Sequence, residues 1–294
     1  MKRGLLCLSL LVLSICGCRK DNEAGLRTVR ISTSSESDMK TRSQIGDDIE
    51  GELFMEWSVL DKIGVFGAST INAVMANTED IPSYQTVFKG NIDKHDIPQY
   101  AYYPYDETVT DISSVPVSIP SEQVYADVTS VAAYDVKASV GIEGISENEY
   151  VMYMRQMASL LRFDVDIDGL DGLSPDEKLQ RVILESDGDR MTGQYTYSLV
   201  DLDAGFVPVS ASAGPNSLEL SFYHTPGLSD FIRGYAVVIP GKHKGKEFTL
   251  TILTDKHSIS FTTQALNDFE AGKFSSFPLT ESVLQNNNCE ITDL

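Results

Sequence analysis

Apolar and polar residues alternate in short runs along most of this chain, and long stretches of helical periodicity are scarce. The clearest case is Leu161-Arg162-Phe163-Asp164-Val165-Asp166-Ile167-Asp168, apolar at odd positions and charged at even ones. That period of two predicts a strand with one buried and one wet face. Phe248, Leu250 and Ile252 repeat it against Thr249 and Thr251, while Tyr235-Ala236-Val237-Val238-Ile239-Pro240 reads as a strand covered on both faces. In the first half, Val29 to Thr33, Lys62 to Phe66, Thr86 to Phe88, Tyr100 to Tyr103 and Val115 to Ile119 are further strands. Ser186-Asp187-Gly188-Asp189 and Thr254-Asp255-Lys256-His257 each separate two such runs and predict hairpin turns. Residues 123–139 read as either a helical turn or a long loop, and 267–272 as a helical turn closed by Gly272.

A polar gap at Ser146-Glu147-Asn148-Glu149 divides these strands into two sets, each sufficient for one sandwich. The expected architecture is all-β, two tandem Greek-key β-sandwich domains at 27–148 and 149–281, followed by a polar tail at 282–294. The N-terminus has a different texture. Lys2 and Arg3 precede an apolar run, Leu5 to Ile15, too short for a permanent membrane span, and Ile15-Cys16-Gly17-Cys18 follows. Small Gly17 before Cys18, with Ile15 three residues before the cysteine, has the form of a lipoprotein cleavage site. Residues 1–17 are therefore expected to be a signal peptide, Cys18 the lipidated residue carrying acyl chains such as palmitate, and 18–26 a tether. The expected location is the outer membrane of a cell envelope, by lipid anchor, with the body surface-exposed.

Charge and cysteine content narrow the partners. With 23 Lys+Arg against 43 Asp+Glu, the net charge is −20, which repels phosphate backbones and argues against nucleic acid. Of four cysteines, Cys7 and Cys16 lie in the signal and Cys18 at the anchor, leaving Cys289 in the body and no intrachain disulfide.

Candidate chemistry is sparse. His95, His224, His243 and His257 are scattered, without zinc-ligand spacing, and no phosphate loop or Gly-x-Ser-x-Gly elbow occurs. His243 lies in the basic stretch Gly241-Lys242-His243-Lys244-Gly245-Lys246, read as a solvated hairpin tip. Asp164, Asp166 and Asp168 invite a calcium loop, but the twelfth position is Pro175 where a bidentate glutamate belongs. No catalytic, cofactor or metal residue is assigned, and an enzyme is not expected. Tyr100, Tyr102, Tyr103 and Tyr105 could form a sugar platform, although strand propensity accounts for them more simply.

Several segments occur in an order that resembles the fimbrillin family of Bacteroidetes, Mfa-like lipoproteins related to type V pilus subunits. They are Asp61-Lys62-Ile63-Gly64-Val65-Phe66, Tyr102-Tyr103-Pro104-Tyr105, Ile119-Pro120-Ser121-Glu122-Gln123, Met157-Ala158-Ser159-Leu160-Leu161-Arg162-Phe163, Tyr235 to Pro240, and Ala271-Gly272-Lys273-Phe274. The resemblance runs from about residue 1 to 280, and the tail after Thr280 lacks the family's hydrophobic ending. It implies two transthyretin-like sandwiches and a part in pilus assembly or cell adhesion. It also implies polymerisation in which an Arg-specific protease removes the first strand and a neighbouring subunit's strand fills the gap. Here that strand is Val29 to Thr33, and Arg42 is the candidate cleavage site. The partners implied are outer-membrane lipid through Cys18, and other pilus subunits or host or bacterial surface ligands. A surface glycan-binding lipoprotein is the alternative.

Overall fold

The computed structural model describes residues 25–34, 56–209 and 216–294. The expected signal peptide at 1–17, the expected lipidation residue Cys18 and the candidate cleavage site Arg42 lie outside the described residues. No helix among those described is long and apolar enough to cross a membrane.

The chain is all-β. In order come β1 (Leu26–Ser34), β2 (Lys62–Phe66), β3 (Ala73–Asn77), β4 (Val87–Asp93), β5 (Tyr100–Tyr103), β6 (Val115–Ile119), β7 (Glu122–Tyr125), β8 (Lys137–Ser146), β9 (Glu149–Gln156) and β10 (Ser159–Asp166). Next are β11 (Leu179–Ser186), β12 (Gly193–Tyr197), β13 (Val207–Pro208), β14 (Ser217–Phe222), β15 (Ile232–Val238), β16 (Glu247–Thr254), β17 (His257–Gln264) and β18 (Phe274–Thr280). A short helix, α1 (Glu281–Asn286), and β19 (Glu290–Asp293) end the chain.

The first strands close into a barrel with the order β1-β4-β3-β2-β5-β8-β9. Inside it lie Val29, Ile31, Trp57, Ile63, Val65, Phe88 and Met152, with the Trp57 indole edge-on to Phe88 and Tyr103. Gly64 is required here, because a Cβ at that position would stand 2.0 Å from the Tyr102 ring of the neighbouring strand.

The second half stacks a three-stranded sheet, β15-β10-β18, on a six-stranded one, β19-β17-β16-β11-β14-β7, around an apolar core containing Phe163, Leu184, Leu250 and Phe269. Alternation along β10 is as expected, with Leu161, Phe163 and Val165 buried. The continuous apolar run of β15 also has its reason. Ala236 and Val238 face that core, whereas Tyr235 and Val237 face a middle cluster with Phe66, Tyr102, Ala138, Val115 and Tyr197. The middle cluster joins the outer wall of the barrel to the second half. Gln123 fastens β15 within it, its amide donating to Val237 O at 2.7 Å and accepting from Val237 N at 2.9 Å, as a neighbouring strand would.

Four expectations need correction. The polar gap at 146–149 is a hairpin turn, since β8 and β9 pair from Ser146↔Glu149 to Lys137↔Gln156. A tight polar turn and a linker have the same composition, so the division placed after residue 148 falls inside the barrel. Moreover, β6 pairs with β12 and β7 with β14, which carries part of the first half into the second. The turn at 186–189 joins two different sheets, whereas that at 254–257 does make the expected hairpin, β16 with β17. Finally, the tail at 282–294 is built into the fold: Leu284 is fully buried, Cys289 is half-buried and β19 pairs with β17. Residues 123–139 contain β7 and a 3-10 turn, Val128–Tyr134, capped by Asp127.

Candidate functional site

β1 is the strand on which barrel closure depends. Its sequence LRTVRISTS places Arg27, Val29, Ile31 and Thr33 on one face. Val29 and Ile31 are fully buried, and each contributes roughly 1.5–3 kcal/mol by that burial. On one edge β1 runs antiparallel to β4, from Leu26↔Asp93 to Ser32↔Val87. On the other it runs parallel to β9, from Arg30↔Glu149 to Ser34↔Tyr153. Without β1, two edges would face each other across a trough floored by the barrel core, each with unpaired N–H and C=O groups.

Both ends of the strand are latched by side chains. At its start the Arg27 guanidinium donates to Asn148 Oδ1 at 2.9 Å, Asp96 O at 2.6 Å, Tyr150 OH at 2.7 Å and the Glu147 carbonyl. At its end Thr33 Oγ1 accepts from Thr86 N at 2.9 Å, and Thr33 N donates to Thr86 O at 2.9 Å. Asp96 is itself held by N–H groups of Ala68, Ser69, Thr70 and Ile97; burial would raise its pKa, but hydrogen bonds from the Thr70 side chain and from the Ser69, Thr70 and Ile97 N–H groups keep the carboxyl well below the usual range. Arg27 and Tyr150 were not identified from sequence. The available signal was a cation in phase with the inward-facing Val29 and Ile31.

Other sequence candidates separate clearly. Tyr102 and Tyr103 are buried, their hydroxyls bonded to Asn72 and Asp106 and to Asp61 respectively, so these two are core residues, while Tyr100 and Tyr105 are half-buried. Asp164 pairs with Arg233 at 2.6 Å and Arg162 at 3.1 Å, and no group of three or more metal-ligating side chains occurs among the described residues. His243 is not on a solvated tip; its ring is fully buried against Phe248 and Phe269. Ser186 Oγ stands 3.4 Å from His243 Nδ1, but Asp268 Oδ1 accepts from the backbone of His243 and Lys244 and Asp189 Oδ2 from that of Lys242. This is loop anchoring around a buried ring, not the arrangement of an accessible nucleophile and base.

No protein-family model matches the chain, and no curated protein matches it. Solved structures do. A candidate cell adhesion protein from Bacteroides ovatus superposes with a TM-score of 0.56 at 12% identity, covering 92% of this chain and 96% of that one. A second, from Bacteroides uniformis, gives 0.51 at 16% identity, covering 91% and 97%. The likeness therefore spans nearly the whole of both chains, and the fold is shared.

Proposed function

We propose that this chain is a non-enzymatic surface lipoprotein acting in pilus assembly or cell adhesion, and that its barrel exchanges β1 for a strand from another subunit. One observation carries the reading: a single strand both closes the ladder and supplies the inward residues Val29 and Ile31. Its replacement by a foreign strand requires no other change in the ladder order. The shared fold with two candidate cell adhesion proteins supports the same reading.

In this scheme acylated Cys18 anchors the precursor to the outer membrane, and cleavage at Arg42 frees β1. The incoming strand must offer branched apolar residues at two alternating positions and a cation two residues earlier, since Arg27 fills four acceptor contacts. The chain's own last strand is engaged in cis, β19 on β17, so the subunit accepts a strand rather than donating its C-terminus.

The test is the mature N-terminus in envelope and sheared surface fractions of the producing bacterium, with Arg-specific proteolysis of the purified protein alongside. A sheared chain starting at Ser43, with detergent-resistant ladders forming after proteolysis, is expected. A chain headed by Cys18 in both fractions and no ladder would reduce the reading to that of a plain surface lipoprotein.

A further inference from the structure

The barrel encloses an ionisable cluster that strand exchange does not use. Lys137, at the start of β8, is fully buried; its Nζ lies 4.2 Å from the Trp57 ring centroid and 5.0 Å from that of Tyr103. It pairs with the carboxylate of Asp135, 1% exposed, whose other oxygen accepts from Gln156 Nε2. A second carboxylate, Asp61, charges the same cluster; it accepts from Tyr103 OH at 2.9 Å and from Ser58 N at 2.7 Å.

Burial pushes the Lys137 ammonium down from its ordinary range, against the opposing charges of Asp135 and Asp61. In a medium that solvates ions poorly, a proton passing from Nζ to Asp135 leaves a neutral amine against a neutral carboxylic acid. These are the two halves of an amide. Asp61 is the poorer electrophile, because both its oxygens accept hydrogen bonds that favour the ionised form, and it is suited to carrying a proton instead.

We propose that Lys137 Nζ and Asp135 Cγ condense in the folded barrel to an intrachain amide crosslink. The Nζ lone pair adds to Cγ, and Gln156 donates to Oδ1 as negative charge develops there. Asp61 takes one proton from Nζ and delivers it to Oδ2. The Cγ–Oδ2 bond then breaks, and Oδ2 leaves as water with the proton it already carried. One C–N bond forms, one C–O bond breaks and nothing is oxidised or reduced. A cavity of about 180 Å³ lined by Tyr103, Asp135, Val136 and Tyr197 adjoins the site. The buried Tyr197 hydroxyl there has no partner, which gives the departing water a polar contact. Held contact supplies the drive, since oriented intramolecular groups reach effective concentrations of about 10⁵–10⁸ M. The product also replaces a buried ion pair by a neutral amide.

This crosslink does not depend on strand exchange, and its test is separate. The purified full chain is denatured and digested with a protease that cuts after free lysines. The flanking sites are Lys94 and Lys178. An uncut fragment 95–178, lighter by one water, with the loss mapped to 135–137, is expected. The same chain kept in denaturant from synthesis onward should be cut after Lys137. Cleavage after Lys137 at full mass in protein that had folded would overturn the proposal, as would a water loss mapped to Asp61. For the shuttle, Asp61→Asn should lower the fraction crosslinked at a fixed time after refolding; an unchanged fraction would remove Asp61 from the step.

Discussion

The barrel and the sandwich that follows it solve closure in opposite ways. The barrel is a closed ring of strands in which β1 bridges β4 and β9, and it keeps a lysine and two aspartates among its aromatic residues. The sandwich core is built on aromatic rings, from Phe163 on Phe277 at 5.5 Å to Phe248 and Phe269 with the buried His243 ring against the last two, between two open sheets. Distributed closure gives a core that tolerates loss of an edge. Closure by one strand gives a core that can be opened. Trp57, the only tryptophan, lies inside the barrel and so reports on that half alone, which makes the contrast measurable.

The largest effect should come from Ile31→Asp, which puts an unpaired charge at a fully buried position of β1. A loss above about 4 kcal/mol is expected, enough to abolish the Trp57-detected unfolding transition while far-UV dichroism retains a later one. One coincident, shifted transition by both probes would show instead that the middle cluster of Phe66, Tyr102 and Tyr235 couples the halves into one unit. Phe248→Ala should give the converse pattern, costing about 3–5 kcal/mol in the later transition and leaving the Trp57 signal in place.

Arg27→Ala comes next. It removes several hydrogen bonds made by a charged group at the strand's start without touching the apolar floor. A cost of about 1.5–3 kcal/mol is expected, read as faster hydrogen exchange along β1 with β16 unaffected. Unchanged protection would mean that the backbone ladders alone hold the strand.

What the sequence disclosed follows from the range of each signal. Alternation is local, so β1, β2, β5, β6 and β10 are legible, as is the exposed place of Asp166, whereas Asp164 on the same face is covered by its pairs with Arg162 and Arg233. Pairing is not local. Nothing near Val115 says that β6 will lie beside β12, and Ser146 to Glu149 has the composition of a linker although it is a hairpin. The tail is illegible for a related reason: Val283-Leu284 and Ile291 are brief apolar marks, and only the fold supplies the core that Leu284 enters and the β17 edge on which Ile291 pairs. At the site, Val29 and Ile31 stood out, while Arg27 and Lys137 did not. A charge among buried positions is ordinarily a solvated face until the fold shows its acceptors.

The smallest expected effect concerns that tail and is one of pH. When protonated, His257 donates through Nδ1 to Glu177 at 2.9 Å and through Nε2 to Asp293 of β19 at 3.2 Å. The Glu177 hydrogen bond raises its pKa above the ordinary 6.5, with the charges of Glu177 and Asp293 adding and desolvation opposing. A raised folded value means that the contribution is fully present below about pH 6.5 and is lost as pH rises through the folded value. Global stability is the wrong measurement, because buried His243 has its pKa lowered by desolvation and opposes this trend over nearby pH. The local readout is hydrogen exchange of β19 at pH 6 and pH 8, corrected for intrinsic rates. Protection should be greater at pH 6, and His257→Gln should abolish the difference while leaving β1 unchanged. Equal protection at the two pH values in the unsubstituted chain would assign the tail's attachment to Leu284 and the β17 ladder alone. The sandwich edge would then be closed by packing, as its core is.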